Sequence, residues 1–198
     1  MNDDPAIHGC LLLRPLADKA AEEAAGRLLS PDKDVDGMTT ASLGALVTGA
    51  AGFAPCTAEA CMELLRAHGI DPAGRRVTIV GRSLVIGRPA ALLLTRADAT
   101  VTLCHRKTPD LAARCRDADI LLAAAGAPGL ITTDFVRPGQ IVLDAGATAL
   151  PDGTLRGDVA PDAADIAVCT PVPGGIGSVT TALLLRHTVQ AAENLRHF

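Results

Sequence analysis

Short apolar runs recur about every twenty residues from Arg76 onward. Most of these runs are continuous rather than alternating, which is typical of strands that are covered on both faces of a sheet. The segments that we predict as strands are Val77–Val80, Thr100–Cys104, Ile120–Ala125, Ile141–Asp144 and Ile166–Cys169.

Helical patterns fill the first two intervals between these strands, over Arg88–Asp98 and Pro109–Asp117. Thr108 stands before Pro109, which predicts a hydroxyl N-cap followed by a proline in the first turn. Strands that alternate with helices at this length indicate βαβ units. We therefore predict an α/β fold with a Rossmann-type doubly wound parallel sheet.

The two ends of the chain have a different pattern. A single strand is predicted near the start, and the remaining segments are predicted as helices, the last of them long. These segments are the strand Ile7–Leu13 and the helices Ala17–Leu29, Leu43–Thr48, Thr57–His68 and Ile176–His197. Gly69 is a plausible C-cap for the fourth segment.

The composition narrows the classes of function. The 198 residues are 48% hydrophobic and 20% charged, with a formal net charge of −4. This acidity argues against a general nucleic-acid binder, and no apolar run is long enough to span a bilayer. The first ten residues, MNDDPAIHGC, lack a basic region, so we expect no secretory signal and a cytoplasmic location.

The cysteines do not predict a metal site. None of the six forms a C-x-x-C pair, and no His/Cys cluster has zinc spacing. We expect free thiols that act as small core residues in a reducing compartment.

The turn after the first predicted strand, GRSLVIGRP at residues 81–89, is the first candidate for chemistry. Dinucleotide folds ordinarily have G-x-G-x-x-G here, whereas this chain has Gly81, Ser83 and then Gly87. Both glycines would permit close backbone approach, the following helix N-terminus favours an anion, and the Ser83 hydroxyl is expected to donate to a phosphate. Arg82 and Arg88 add positive charge. The alternative is a glycine turn that holds no ligand.

The end of the second predicted strand is basic. It reads His105-Arg106-Lys107-Thr108, where an NAD site ordinarily has an acidic residue that binds the ribose hydroxyls. A basic end favours a 2′-phosphate and therefore NADP. A solvated basic turn is the alternative.

Five short sequence motifs occur along the chain in the same order as in one known family. They are PDKDVDG at 31–37, PCT at 55–57, GRSLVIGRP at 81–89, TVTLCH at 100–105 and TPVPGGIG at 170–177. From about Ile7 onward the chain resembles the methylenetetrahydrofolate dehydrogenase/cyclohydrolase (FolD-type) family. The resemblance implies oxidation of 5,10-methylenetetrahydrofolate with NAD(P)+, followed in most members by hydrolysis to 10-formyltetrahydrofolate, and a homodimer.

The resemblance also implies a domain organisation. Residues 1–55 would be a partial α/β catalytic domain that binds folate, 56–170 the NAD(P)-binding Rossmann domain, and 171–198 a loop lining the folate cleft and a returning helix. Asp36 would bind the pterin, and Pro173, Gly174 and Gly175 would line the cleft. The implied cofactor-binding residues are Gly81, Arg82, Ser83, Gly87, His105, Arg106, Ala147, Thr148 and Thr170.

The catalytic residues of the family are not found. Their lysine and partnering tyrosine lie upstream of the strand that here contains His8, and this chain has no tyrosine. None of the three lysines, Lys19, Lys33 and Lys107, stands at the matching place. The catalytic residues therefore stay unassigned, and we do not expect cyclohydrolase activity by the usual route.

Two further departures affect the folate and cofactor sites. Leu13 replaces the glutamine of the family's folate site, and Arg106 stands where NADP-using members commonly have serine. Some mitochondrial members with arginine at this position use NAD with inorganic phosphate. We predict NADP, with NAD as the alternative.

Three interpretations of the whole chain follow. The leading one is a dehydrogenase of reduced folates. The second is a catalytically silent protein that binds NAD(P) or folate, or half of a split enzyme completed by a companion chain. In the third, the N-terminus of the protein is truncated in the gene sequence.

Overall fold

The computed structural model describes residues 1–14 and 16–195. The chain divides into two compact units. Unit 1 comprises residues 1–56 and the segment from residue 180 onward, and unit 2 comprises residues 57–179. The helices are α1 (Lys19–Leu28), α2 (Thr40–Thr48), α3 (Cys56–Ala67), α4 (Gly87–Arg96), α5 (Leu111–Asp117), α6 (Pro161–Ala164) and α7 (Ile176–Leu195).

Unit 2 is built on a parallel sheet of five strands. The strands of the chain are β1 (Arg76–Val80), β2 (Thr100–Cys104), β3 (Ile120–Ala123), β4 (Ile141–Asp144), β5 (Thr148–Ala149), β6 (Leu155–Arg156) and β7 (Val168–Cys169). The parallel sheet has the order β2-β1-β3-β4-β7, and β5 and β6 form a separate antiparallel pair. The predicted α/β class with a Rossmann-type parallel sheet is confirmed.

The continuous apolar runs belong to strands that are buried on both faces of the sheet, as the sequence pattern predicted. All four residues of β3 are buried, as are the last four of β1, because both faces of the central strands are covered. On one face Val80, Leu121 and Val142 join a core cluster that also contains Cys115 of α5 and Ala163 of α6.

Strand ends differ from the predictions where local hydrogen bonds compete. The last strand begins at Val168 instead of Ile166, because the amides of Ile166 and Ala167 donate to the carbonyl of Ala163 at the end of α6. The strand predicted over Ile120–Ala125 ends at Ala123.

The predicted cap of α5 is wrong. The helix begins at Leu111, and Asp110 is its N-cap, in a left-handed conformation without a side-chain hydrogen bond. The hydroxyl of Thr108 instead accepts from the amide of His105 at 2.9 Å, so it closes the turn after β2. The helix predicted over Arg88–Asp98 spans Gly87–Arg96.

Unit 1 contains α1, α2 and most of α7. Asp18 caps α1 by accepting from the amides of Ala20 and Ala21. Helix α2 begins three residues before its predicted start, because Thr39 caps it by accepting from the amide of Ser42.

The strand predicted over residues 7–13 is wrong. Within these described residues the structure has a single parallel bridge, between Cys10 and Asp34. The predicted end of the last helix, His197, lies outside the described residues. In the part of the chain that is described, no helix has the length and apolar character needed to cross a membrane.

Candidate functional site: a nucleotide turn and a half-buried carboxylate

The strand order places a candidate binding site at the carboxyl ends of β1 and β3. From β1 the chain crosses to β2 on one side of the sheet, and from β3 it crosses to β4 on the other side. The point between β1 and β3 where the direction reverses is a topological switch point, and ligands of open α/β sheets bind at such points. Gly81 follows β1 here, and its amide donates to the carbonyl of Cys104 at the end of β2. The turn at 81–87 therefore begins where three strand ends meet.

Both glycines of this turn are required by close backbone contacts. A Cβ atom on Gly81 would lie 2.0 Å from the carbonyl oxygen of Ala124, and its φ is +130°. A Cβ atom on Gly87, the first residue of α4, would lie 2.0 Å from the carbonyl oxygen of Gly81. The turn thus folds back on itself and on the residue that follows β3, with no room for a side chain at either point.

The turn also shapes the N-terminus of α4. The hydroxyl oxygen of Ser83 accepts from the amide of Ile86 at 3.1 Å, and Ile86 itself offers the helix no side-chain cap. We expected this hydroxyl to donate to a phosphate, and the structure assigns its oxygen a role inside the turn. The hydroxyl hydrogen is still able to donate outward, beside the exposed Arg82 and Arg88.

The basic residues after β2 lie next to this turn. Arg106 and Lys107 are exposed, and the Nδ1 atom of His105 accepts from the amide of Lys107 at 3.2 Å. Because that amide can only donate, the hydrogen of the neutral imidazole is on Nε2, which makes this atom a donor. No carboxylate stands among residues 105–108.

Two buried carboxylates, which the sequence analysis did not single out, hold the other side of the switch point. Asp158 is fully buried and accepts from the amides of residues 125, 126 and 127 at 2.5, 2.9 and 2.7 Å. Asp144 accepts from the amides of Gly146, Asp158 and Val159, and burial raises the pKa of its carboxyl. The only signal in the sequence is an aspartate that directly follows the apolar run of β4.

The remaining predicted residues of unit 2 follow β4 and β7. Ala147 is exposed and Thr148 half-buried at the start of β5, while the hydroxyl oxygen of Thr170 accepts from the amide of Asp144 at 2.8 Å. Pro173 follows a cis peptide bond, and Gly174 has a φ of +101°. A Cβ atom on Gly175 would lie 2.4 Å from the carbonyl oxygen of Pro171, which makes this loop tight as well.

Asp36 lies in unit 1 and is half-buried. Burial raises the pKa of its carboxyl, while the charge of Arg14 and hydrogen bonds from Cys56 act in the opposite direction. The neighbouring Asp34 is buried, and its Oδ2 atom accepts from the amide of Thr39 and the hydroxyl of Ser42 at 2.7 Å each. The two aspartates of the KDVDG word therefore have different roles.

The family model that matches residues 55–196 is the tetrahydrofolate dehydrogenase/cyclohydrolase, NAD(P)-binding domain. The chain belongs to the tetrahydrofolate dehydrogenase/cyclohydrolase family. The family resemblance predicted from the sequence is confirmed, and the turn at 81–87 lies inside this NAD(P)-binding domain.

Relatives in this family are about half identical to the chain over the segments that match. The bifunctional protein FolD 1 of Rhodococcus jostii is 54% identical over 194 residues, which are 97% of this chain and 65% of that protein. The bifunctional protein FolD of Moorella thermoacetica is 47% identical over 194 residues, 97% of this chain and 69% of that protein. The chain thus spans about two thirds of the length of these relatives.

Solved structures of the family have the same fold. The bifunctional FolD of Campylobacter jejuni superposes with a TM-score of 0.93 at 41% identity, covering 98% of this chain and 70% of that one. FolD of Trypanosoma brucei, complexed with NADP cofactor and inhibitor, superposes with a TM-score of 0.89 at 38% identity, covering 98% and 69%.

Proposed function

We propose that the chain binds NADP in unit 2 and a reduced folate at Asp36 of unit 1, and oxidises 5,10-methylenetetrahydrofolate to 5,10-methenyltetrahydrofolate. The observation that carries the proposal is the turn at 81–87, where a Cβ atom on Gly81 or Gly87 would lie 2.0 Å from a backbone oxygen. Such a turn lets backbone N–H groups and the start of α4 approach a pyrophosphate. Arg82 and Arg88 add charge that suits phosphate.

NADP is preferred over NAD because the end of β2 is basic. Arg106, Lys107 and the Nε2 hydrogen of His105 are donors suited to a 2′-phosphate, and residues 105–108 contain no carboxylate to bind a free ribose diol. The family's solved T. brucei relative holds NADP, which supports this choice. NAD together with inorganic phosphate is the alternative that the same donors would serve.

The chemistry of the oxidation divides between cofactor and protein. Bound NADP+ supplies the nicotinamide that accepts a hydride. The Asp36 carboxylate accepts N–H bonds from the 2-aminopyrimidine edge of the pterin and so fixes the ring. Pro173, Gly174 and Gly175 form a tight loop for the substrate, and Thr148 and Thr170 offer hydroxyls on the cofactor side. Hydride transfer needs orientation more than a protein acid or base.

The cyclohydrolase step is not part of this proposal. The sequence has no tyrosine, and the three lysines do not match the family's catalytic position. Lys33 is also committed elsewhere: it is buried, and its Nζ atom donates to the carbonyls of Met1 and Asp4 at 2.9 and 2.7 Å. Lys33 is therefore held by backbone carbonyls and is not assigned a proton transfer.

The test is a spectrophotometric assay at 340 nm with methylenetetrahydrofolate and each nicotinamide cofactor. We expect reduction of NADP+, and Asp36→Asn should raise the KM for folate by about tenfold, as expected for one lost bond to a charged group. Asp32→Asn is the matched control, because Asp32 is an exposed carboxylate of the same word. The absence of turnover with both cofactors would refute the dehydrogenase.

A silent binding protein, or half of a split enzyme, is the second candidate. Leu13, which replaces a glutamine and is 74% exposed, favours it. Calorimetry that detects NADP or folate binding without turnover would support it, and activity restored by a companion chain would identify the split enzyme. The homodimer and the cytoplasmic location stay predictions, to be tested by light scattering and cell fractionation.

A further inference from the structure

A buried carboxylate accepts hydrogen bonds from three successive amides of the loop that follows β3. Asp158 is 0% exposed, and its Oδ2 atom accepts from the amides of Ala125 and Gly126 at 2.5 and 2.9 Å. Its Oδ1 atom accepts from the amide of Ala127 at 2.7 Å. Bonds to an ionised acceptor are stronger than bonds between neutral groups. The carboxylate therefore turns all three amides towards the interior of unit 2.

The position of Asp158 is itself fixed on both sides. Its amide donates to Oδ1 of Asp144 at 3.0 Å, and its carbonyl oxygen accepts from the amide of Ile131 at 2.9 Å. A Cβ atom on Gly146 would lie 2.5 Å from the amide nitrogen and 2.5 Å from the Oδ1 atom of Asp158, so the backbone packs closely against this residue as well. Asp158 is thus a fixed point from which the loop is held.

One peptide unit of the loop stands between Asp158 and the turn at 81–87. A Cβ atom on Gly81 would lie 2.0 Å from the carbonyl oxygen of Ala124, 2.5 Å from its carbonyl carbon and 3.1 Å from the nitrogen of Ala125. These three atoms belong to the same planar peptide unit. Gly81 therefore packs against the peptide unit whose N–H group donates to Asp158.

We propose that Asp158 is a positioning residue for the turn at 81–87. Because the peptide unit between Ala124 and Ala125 is planar, the bond at its N–H group also fixes the direction of its carbonyl. That carbonyl sets how closely Gly81 approaches the loop, and Gly81 sets where the turn begins. The inference rests on the proposed function, in which this turn binds the pyrophosphate of NADP.

Two alanine substitutions separate this role from the general loss of a buried polar side chain. Asp158→Ala removes the acceptor of all three amides. Gln140→Ala is the matched control, because Gln140 is 1% exposed and also makes three bonds to backbone groups. It donates to the carbonyls of residues 115 and 118 and accepts from the amide of Arg137. Gln140 directly precedes β4 and so lies at the amino ends of the strands, opposite to the switch point.

The first readout is the amide signal of Gly81 in nitrogen-15 NMR, recorded without any cofactor. Asp158→Ala should shift this signal, because the peptide unit beside Gly81 loses its anchor, whereas Gln140→Ala should leave it in place. Both variants should be less stable than the unaltered protein, so stability alone does not distinguish the two roles. An unchanged Gly81 signal in Asp158→Ala, or an equal shift in Gln140→Ala, would overturn the inference.

A substitution on the other side of the same peptide unit leaves the carboxylate unaltered. Gly81→Ala places a methyl group against the carbonyl of Ala124, so it should displace the unit and shift the carbon-13 signal of the Asp158 carboxylate. Gly139→Ala is its control, because Gly139 also has a positive φ, +72°, but a Cβ atom there would meet nothing within 4 Å. This pair decides the question if Asp158→Ala does not fold: an unchanged carboxylate signal in Gly81→Ala overturns the inference.

The functional readout is calorimetric titration of NADP. Asp158→Ala should raise the Kd of NADP about tenfold, as for one lost bond to a phosphate, while Gln140→Ala should leave it unchanged. A Kd in Asp158→Ala equal to that of the unaltered protein would count against the positioning role and overturn it. If the unaltered protein binds no NADP, the proposed function fails, and the two NMR readouts still decide whether Asp158 positions the turn.

Discussion

Gly87→Ala is the substitution that tests the nucleotide turn most directly. By helix propensity alone this change is favourable, because alanine is about 1 kcal/mol better than glycine inside a helix. The tertiary contact opposes it. The new methyl carbon would lie 2.0 Å from the carbonyl oxygen and 2.6 Å from the carbonyl carbon of Gly81.

The expected loss of stability follows from the 2.0 Å distance between the new methyl carbon and the Gly81 oxygen. Side-chain carbons do not approach an oxygen closer than about 3 Å, so the start of α4 and the Gly81 peptide must separate by about 1 Å. Overpacking of this kind costs about 1–3 kcal/mol, from which the propensity gain of up to about 1 kcal/mol is subtracted, and we expect a net loss of about 1–2 kcal/mol. The displaced turn loses one hydrogen bond to a phosphate, worth about 1.5–3 kcal/mol, so the Kd of NADP should rise about 10- to 100-fold.

The assay combines calorimetric titration of NADP with denaturant unfolding. Gly26→Ala is the control, because Gly26 also lies inside a helix, α1, but a Cβ atom at this position would meet nothing within 4 Å. It should stabilise the protein by about 0.5–1 kcal/mol and leave the Kd of NADP unchanged. Undiminished stability and NADP affinity in Gly87→Ala would refute the reasoning that the turn is held by this contact.

Three further predictions follow from the same structure. Arg106→Gln should raise the Kd of NADP about tenfold and leave that of NAD nearly unchanged in calorimetry; equal weakening of both would contradict a 2′-phosphate contact. Asp158→Asn should lower the free energy of unfolding by about 2–4 kcal/mol, because the new amide group would face three backbone N–H donors that now bind a carboxylate. A denaturant midpoint equal to that of the unaltered protein would contradict this. Arg76 lowers the pKa of Asp119 to about 2, so this pair stabilises the fold above the unfolded pKa of about 3.9 and the contribution is lost as the pH falls towards 2. Arg76→Gln should therefore flatten the loss of stability between pH 4 and pH 2, and an unchanged slope in acid unfolding would count against the pair.

Much of unit 2 is predictable from local pattern. The strand segments, the parallel sheet and the turn at 81–87 all follow from continuous apolar runs and from glycines placed after a buried strand. Element ends are less predictable, because they depend on competition for hydrogen bonds. Thr108 could cap a helix or close a turn, and the short distance to the amide of His105 selects the turn.

The sequence by itself determined the fold class, the family and the identity of the residues at the nucleotide turn, since each of these is encoded in neighbouring positions. Only the tertiary structure decided which backbone atoms Gly87 touches, that Asp144 and Asp158 hold the loops beside the turn at 81–87, and that His187 reaches Val35. These contacts join residues that are far apart along the chain, 152 positions in the case of His187 and Val35. A local pattern carries no record of such a pair, because burial and hydrogen bonding are satisfied only once the segments have packed together.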